Sequence, residues 1–402
     1  MTDIPKKNRR FTSTATEGFF EVRDPQNKHK TEIIEDFFKA YAAIILTVVS
    51  EIDYVDLYAG RGFYDRCASD PSLIGPIDAT PLRILRAIIA NERFSRSVRT
   101  WFNEGLPANV ADLRTAIAGL PGIETLAHVP LVTEGVVNDR LAARLRERMD
   151  VPTFFFLDPF GYVGITRQLL QTALTKSWGC DIAFFFNYKR INMNLGTNIF
   201  DSHLIALFGD QRLSTLRAEL QRIEDVDDRE DLVLASLQEA LKEIGARYFL
   251  RYRFRYPDGK TSHHLVFVTT HRKGHDAMKD RMAAHSAKSP DGVPYFEFVP
   301  GTPRQGQPGL FDTHVLTPPR NFPYSIRSLA NKIYNRYRGR TFRIDTIFQA
   351  HSVGLPYTIQ NFRAAILDLQ DRRLATLLRQ STGAAPKRGQ CPPDTDITIV
   401  PI

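Results

Sequence analysis

The 402-residue sequence predicts an α/β fold, a doubly wound and mostly parallel sheet ending in an antiparallel hairpin, followed by a small basic helical unit. Three observations carry this expectation. Short apolar runs alternate with segments of helical period over roughly the first half of the chain. Two further apolar strands flank Pro257-Asp258-Gly259, a hairpin signal. The excess of positive charge is confined to the last fifth.

The first element is "KTEIIEDFFKAYAAIILTVV", with Ile33, Ile34, Phe37, Phe38, Tyr41, Ile44, Ile45 and Val48 at helical spacing. It predicts an N-terminal helix at about residues 30–49 with a wide apolar face, following a polar stretch over 1–18. The strand "YVDLYA" and the helix "TPLRILRAIIANERF" come next, then "VRTWFNE", "NVADLRTAIAGL", "LAHVPLVTEG", "VNDRLAARLRERM", "TFFFLDPFG", "TRQLLQTALTK" and "CDIAFFFNY". The strands are apolar on both faces, as in a parallel sheet covered by helices on each side. Ligand is then expected beyond the carboxyl ends of the strands. Residues 194–245 read as a charged helical insertion. The hairpin "YFLRYRFRYPDGKTSHHLVFVTTH" closes a domain spanning 1–298. A parallel sheet that ends this way favours a methyltransferase over a dehydrogenase.

Residues 299–323 are rich in Pro and Gly and read as a linker. Over 324–402 the segments "SIRSLANKIYNRYRG", "RIDTIFQAHS" and "YTIQNFRAAILDLQDRRLA" predict three helices, the third with Thr358 as N-cap and a core stripe of Ile359, Phe362, Ile366 and Leu369. A following β-wing would make this unit a winged helix-turn-helix.

Composition excludes several classes. At 43% apolar residues the chain can build a core, and no apolar run reaches the length of a membrane span. The charged start "MTDIPKKNRR" does not resemble a secretory signal, and Cys67, Cys180 and Cys391 form neither a disulfide framework nor a zinc spacing, so a reducing cytoplasm is expected. From Arg320 onward 13 Lys/Arg face 5 Asp/Glu, a net +8 that equals the charge of the whole chain. A basic unit on a neutral body is the footprint of nucleic-acid binding. There Arg336, Arg338, Arg340 and Arg343 interleave with aromatic residues to meet phosphates, and the third helix offers Gln360, Asn361 and Arg363 to a groove.

The site is read from "YVDLYAGRGFYD". Asp56 lies near a strand end, and Tyr58, Gly60 and Gly62 follow in the turn. The positions after Gly62 are Phe63, Tyr64 and Asp65, so the third glycine of a dinucleotide fingerprint is missing and a pyrophosphate is disfavoured. S-adenosylmethionine (SAM) carries no phosphate, and Asp56 would face its cationic methionine end. Glu104 ends the next strand, to take the ribose hydroxyls, and Glu134 follows, to take the adenine amino group. Asp158, Pro159 and Phe160 stand at the reaction centre. There a side-chain and a backbone oxygen would orient an exocyclic amine, with Phe160 stacked on its base, an interaction of roughly 1–3 kcal/mol. Helix capping by each acid is the competing structural explanation.

"YVDLYAGRGFYD", "FFFLDPFGYVGI" and "HHLVFVTTHRKGHDAMKD", in that order, resemble the three-Cys-motif partner proteins, a bacterial and phage-associated group, over nearly the whole chain. The resemblance implies a class I SAM-dependent methyltransferase fold and a neighbouring protein that carries the three-Cys motif. In motif style it is similar to ribosomal-RNA adenine-N6 methyltransferases: Asp56 to Gly62 match D-T-H-A-G-A-G, Ala79-Thr80-Pro81-Leu82 stand where those have G-S-P-L, and Glu104, Glu134-Gly135 and Asp158-Pro159-Phe160 fall on the later motifs. Thr80 thereby joins the cofactor set. D-P-F-G is also similar to the tRNA guanine-N2 methyltransferases, which leaves the target base open.

Other constellations are weaker. His271 and His275 lack the HExxH frame or a cysteine partner, so no metal is expected. Asn187-Tyr188-Lys189-Arg190 follows the fifth strand and could grip substrate or only meet solvent. The NTPase and α/β-hydrolase motifs are absent. The expected function is SAM-dependent methylation of an exocyclic amine of a nucleic-acid base. The alternative is a methyltransferase fold without catalysis that tethers its three-Cys partner to DNA or RNA.

Overall fold

The segment Thr153–Leu157 shows how the body is built. All five residues are buried, with Phe155 and Leu157 packing on one face of a sheet and Phe154 and Phe156 on the other. A strand alternates sides at every residue, so five apolar residues in a row demand cover on both faces. The computed structural model describes residues 22–67, 70–148, 150–159, 164–196, 201–300 and 322–400. The expected 299–323 linker therefore lies largely outside the described residues.

The central sheet has eight strands: β1 (Ile52–Asp56), β2 (Val98–Glu104), β3 (Leu131–Glu134), β4 (Thr153–Leu157), β5 (Asp181–Phe186), β6 (Tyr248–Arg255), β7 (Thr261–Thr269) and β8 (Glu297–Phe298). Their spatial order is β3-β2-β1-β4-β5-β7-β6-β8. The first five pair in parallel, and β7 runs antiparallel to both β5 and β6. This is a Rossmann-like α/β sheet whose chain reverses direction in space between β1 and β4, the position where such folds open a crevice. The hairpin closes at Tyr256–Lys260, with Gly259 at φ 82°.

Helices cover both faces. Pro25–Ile45, Thr80–Ile89, Pro107–Ala118 and Arg272–Ala284 pack against Phe154 and Phe156, whereas Arg167–Thr175, Tyr188–Leu195 and Val226–Glu243 pack on the Phe155 side. The first helix begins at Pro25 rather than near residue 30. Asp24 caps it, accepting from the Asn27 amide at 2.6 Å, and Pro25 supplies a preset φ at the first helical position. Across 194–245 the described residues carry three helices, Asp201–Phe208, Asp210–Leu220 and Val226–Glu243, preceded by the helix Tyr188–Leu195. One feature was not anticipated: Phe63–Cys67 and Asp70–Asp78 form an antiparallel pair between the glycine turn and the next helix, with Val22–Arg23 added at its edge.

The C-terminal residues form three helices, Ile326–Tyr337, Ile344–His351 and Ile359–Asp371, and a three-stranded antiparallel sheet of Thr341–Arg343, Thr395–Ile399 and Ala375–Arg379. Their core, centred on Leu329, Ile347, Phe362, Ile366 and Ile397, is separate from the two cores of the body. Polar contacts dock the two units. Lys279 donates to the carbonyls of Ser352 and Leu355 at 2.6 and 2.7 Å, and the Ile326 amide donates to Asp291 at 2.5 Å. Among the described residues no helix is long and apolar enough to cross a membrane.

Candidate active site

Strand register sets the site. Asp56 is paired with Phe102 of β2 and Phe156 of β4, so Glu104 and Asp158 each lie two residues beyond the Asp56 rung. Glu134 is the register partner of Glu104. The four acids read from the sequence therefore stand at adjacent carboxyl ends of β3, β2, β1 and β4.

The glycine turn is held over Glu104. Gly60 has φ 63° and Gly62 φ 86°, left-handed conformations that cost a side-chain-bearing residue roughly 1–2 kcal/mol. The Gly60 amide donates to Glu104 Oε2 at 2.9 Å, and the Leu106 amide donates to Oε1 at 2.9 Å. The carboxylate thus ties two strand-end loops together. Its sequence-assigned hydroxyl-accepting role must use the remaining lone pairs. A Cβ on Gly60 would meet nothing within 4 Å, so open space lies above that turn, while one on Gly62 would come 2.7 Å from Leu113 Cδ1. Bare backbone over an acceptor, with room above it, fits a nucleoside that approaches closely. Glu134 is exposed at the rim.

Thr80 opens the helix that follows, is buried, and shares a hydrogen bond of 3.1 Å with Thr31 Oγ1. Its hydroxyl faces the N-terminal helix. Tyr58 is half-buried, and its amide donates to Asp56 Oδ1 at 3.0 Å. Asp56 itself is 1% exposed. Burial pushes its carboxyl up to about 8, against the Tyr58 hydrogen bond and with further upward pressure from Asp158. It is a buried acid beneath the turn, not a surface anion awaiting a cation.

At the end of β4, Asp158 is partly exposed and forms an ion pair with Lys30 of the N-terminal helix. Lys30 is buried, and its ammonium lies 4.7 Å from the Phe185 ring centroid. Burial works against the Lys30 charge, but Asp158 overrides it and holds the ammonium above its ordinary range. Pro159 is buried, and Phe160 lies outside the described residues.

Sequence reasoning missed Lys30, although a signal was present. Lys30 falls on the same stripe as Ile33, Ile34, Phe37 and Tyr41, and a lysine in an apolar stripe requires a carboxylate partner. It also missed Asn103, which is 1% exposed. Its amide nitrogen donates to the carbonyls of Leu57 and Gly135 at 3.2 and 2.9 Å, and its oxygen accepts from Thr133 at 2.9 Å. Asn103 fixes the spacing of the three loops around Glu104.

In the C-terminal unit Arg336, Arg338, Arg340, Arg343 and Gln360 are exposed, and Arg363 is half-buried. Arg338 stacks on Tyr334 at 4.9 Å. Asn361 corrects an expectation: it is buried, its oxygen accepts from the Thr358 amide at 2.9 Å, and its nitrogen donates to the Gly292 carbonyl at 3.0 Å. It holds the third helix to the body and does not present itself to a groove. His271 is exposed, whereas His275 is buried with Nδ1 2.8 Å from Asp276, so that pair does not converge.

No protein-family model and no curated protein matches the chain. Among solved structures it is similar to the DszA carbon methyltransferase (12% identity, 61% of this chain and 55% of that one, TM-score 0.35). It is also similar to the METTL16 MTase domain (11% identity, 58% and 66%, TM-score 0.32). A third is a predicted O-methyltransferase from Agrobacterium tumefaciens (13% identity, 58% and 79%, TM-score 0.28). The chain thus spans about half the length of the first. Likenesses this distant carry no functional weight; the fold rests on the strand order itself.

Proposed function

We propose that the chain is a SAM-dependent methyltransferase that acts on an exocyclic amine of a nucleic-acid base. The observation that carries this reading is the convergence of the glycine turn, Glu104, Glu134 and Asp158 at adjacent strand ends. The cofactor is SAM, and its sulfonium supplies the electrophilic methyl group. Gly60 and Gly62 let backbone approach the nucleoside, Glu104 accepts from its ribose and Glu134 from its adenine. Thr80 anchors the start of the following helix to the N-terminal helix through Thr31, and Asp56 and Tyr58 form the floor of the turn.

Asp158 accepts a hydrogen bond from the target amine, and the adjoining backbone at Pro159 takes the second. Two acceptors orient the nitrogen lone pair, so positioning supplies most of the rate enhancement and no strong base is required. Phe160 stacks on the base by its place in the motif. Lys30 holds the Asp158 carboxylate in place, and the substrate amine must share that acceptor with it.

The three C-terminal helices and the antiparallel sheet form a winged helix that engages nucleic acid through Arg336, Arg338, Arg340 and Arg343, with Gln360 and Arg363 on the third helix. A neighbouring three-Cys-motif protein is the partner the sequence resemblance supplies. The competing reading, a methyltransferase fold serving as an adaptor without catalysis, is favoured by one observation: Asp158 is already paired with Lys30.

Calorimetric titration with SAM and S-adenosylhomocysteine tests the cofactor assignment. Micromolar binding of both is expected, with a loss of at least tenfold in Glu104→Gln, and absence of binding would refute it. Methyl transfer from labelled SAM to DNA and RNA then separates the readings. Asp158→Asn should abolish transfer and spare cofactor affinity in an enzyme; an adaptor would show no transfer in either protein.

A further inference from the structure

We infer a divalent metal site at His29, Glu32 and His285, independent of the methyl-transfer reading, whose donor set suits Zn²⁺. One ligand atom from each of the three residues lies within 4.8 Å of the other two. His29 and Glu32 are three apart on the N-terminal helix and so share a face, while His285 is the C-cap of the helix Arg272–Ala284. Two imidazoles and one carboxylate form a recurrent protein ligand set for zinc, with a further position left to water or another donor. Tetrahedral bonds of about 2.0–2.1 Å would bring the ligand atoms to about 3.3 Å of one another, a closure of at most about 1.5 Å.

The surrounding hydrogen bonds prepare both imidazoles for this role. His29 Nε2 lies 2.8 Å from the Tyr252 hydroxyl, whose single proton is directed to the carbonyls of His285 at 2.8 Å and Glu297 at 3.1 Å. Tyr252 therefore accepts from His29, which places that ring's proton on Nε2 and its lone pair on Nδ1. His285 Nε2 lies 2.7 Å from Asp36 Oδ2. A carboxylate oxygen accepts, so this contact directs the His285 Nε2–H to Asp36 and turns Nδ1 away from it. A carboxylate that orients a histidine from behind is the usual outer support of a ligating imidazole. Phe298 stacks on the His29 ring at 4.1 Å and fixes its plane, and the two imidazoles stand at 90° with centroids 5.5 Å apart.

A bound ion would tie the start of the first helix to the end of Arg272–Ala284. Lys30, the residue after His29, reaches Asp158 from the same turn, so the metal would fix the helix that delivers that ammonium.

The test is calorimetric titration of the full, tag-free, chelator-stripped chain with Zn²⁺, with Mg²⁺ as control because imidazole ligands do not suit it. One Zn²⁺ per chain at micromolar affinity or better is expected, together with a rise in melting temperature and no response to Mg²⁺. Glu32→Gln and His285→Ala should each weaken binding at least 100-fold, and Asp36→Asn should weaken it about 10–100-fold. His271→Ala, an exposed histidine elsewhere, should leave it unchanged. Glu32→Gln and Asp36→Asn preserve shape, so the test stands even if His285→Ala fails to fold. Failure to bind Zn²⁺, or binding indifferent to Glu32→Gln and His285→Ala, overturns the site.

Discussion

Asp56→Asn should stabilise the protein, and more so as pH rises. The Asp56 carboxyl is pushed up to about 8 chiefly by burial, against an ordinary value of 3.8. Below about pH 4 the group is protonated in folded and unfolded chains alike and contributes nothing. As pH rises the unfolded chain ionises first, while the folded one keeps its proton until about pH 8. The folded state thus binds more protons across this window, so stability is lost as pH climbs through it. At 1.36 kcal/mol per pH unit, the span of about four units amounts to a penalty on the order of 5 kcal/mol at pH 8. Asparagine keeps the acceptor for the Tyr58 amide and cannot ionise, so the variant escapes that penalty. Thermal melts of both proteins from pH 4 to 8 should show little difference at the acid end and a variant advantage of about 6 °C at pH 8. Parallel curves, or a variant less stable throughout, would show that Asp56 is ionised in the fold and that the buried-acid account of this site is wrong.

The two glycines of the turn should respond differently. Gly60→Ala has open space for its methyl group and should cost only about 1 kcal/mol of stability, yet lower SAM affinity at least tenfold by filling the cradle. Gly62→Ala meets Leu113 as well as backbone strain and should show the larger drop in melting temperature; the reverse order would displace the ligand from Gly60. Lys30→Met leaves Asp158 without its cation, and methyl transfer should fall at least tenfold with SAM affinity held within threefold; unchanged turnover would remove Lys30 from the site. Asn361→Ala should cost about 1–3 kcal/mol in thermal melts through its lost bonds to Thr358 and Gly292. Nucleic-acid affinity of the folded variant should be retained, whereas Arg338→Ala and Arg340→Ala should each weaken it and reduce the salt slope by about 1. A selective loss of nucleic-acid binding in Asn361→Ala would return that residue to the groove.

The legible and illegible parts of this chain divide along a physical line. Runs such as Thr153–Leu157 and Asp181–Phe186 are buried on both faces, so composition alone marks them as interior strands, and their order in the chain implies parallel pairing with crossover helices. The strand-end acids were legible for the same reason: an acid that closes such a run marks the carboxyl end of its strand. What they bond to was not. Glu104 reads as an acceptor, but its commitment to the Gly60 and Leu106 amides depends on how two loops meet. Lys30 looks like an error in an apolar stripe until Asp158 is placed against it. Asn361 lies next to exposed Gln360, and only docking against Gly292 decides which of the two faces solvent. In each case the missing quantity is a contact between segments distant in the chain, which helical or strand period cannot encode. Lys30 is where this matters for function. The fold brings a buried ammonium to Asp158, so this strand end holds a matched charge pair. Under the proposed function, a base engaging Asp158 would have to displace that pairing or share it, and the neutral edge of a nucleobase could share it because a carboxylate has acceptor capacity for both partners.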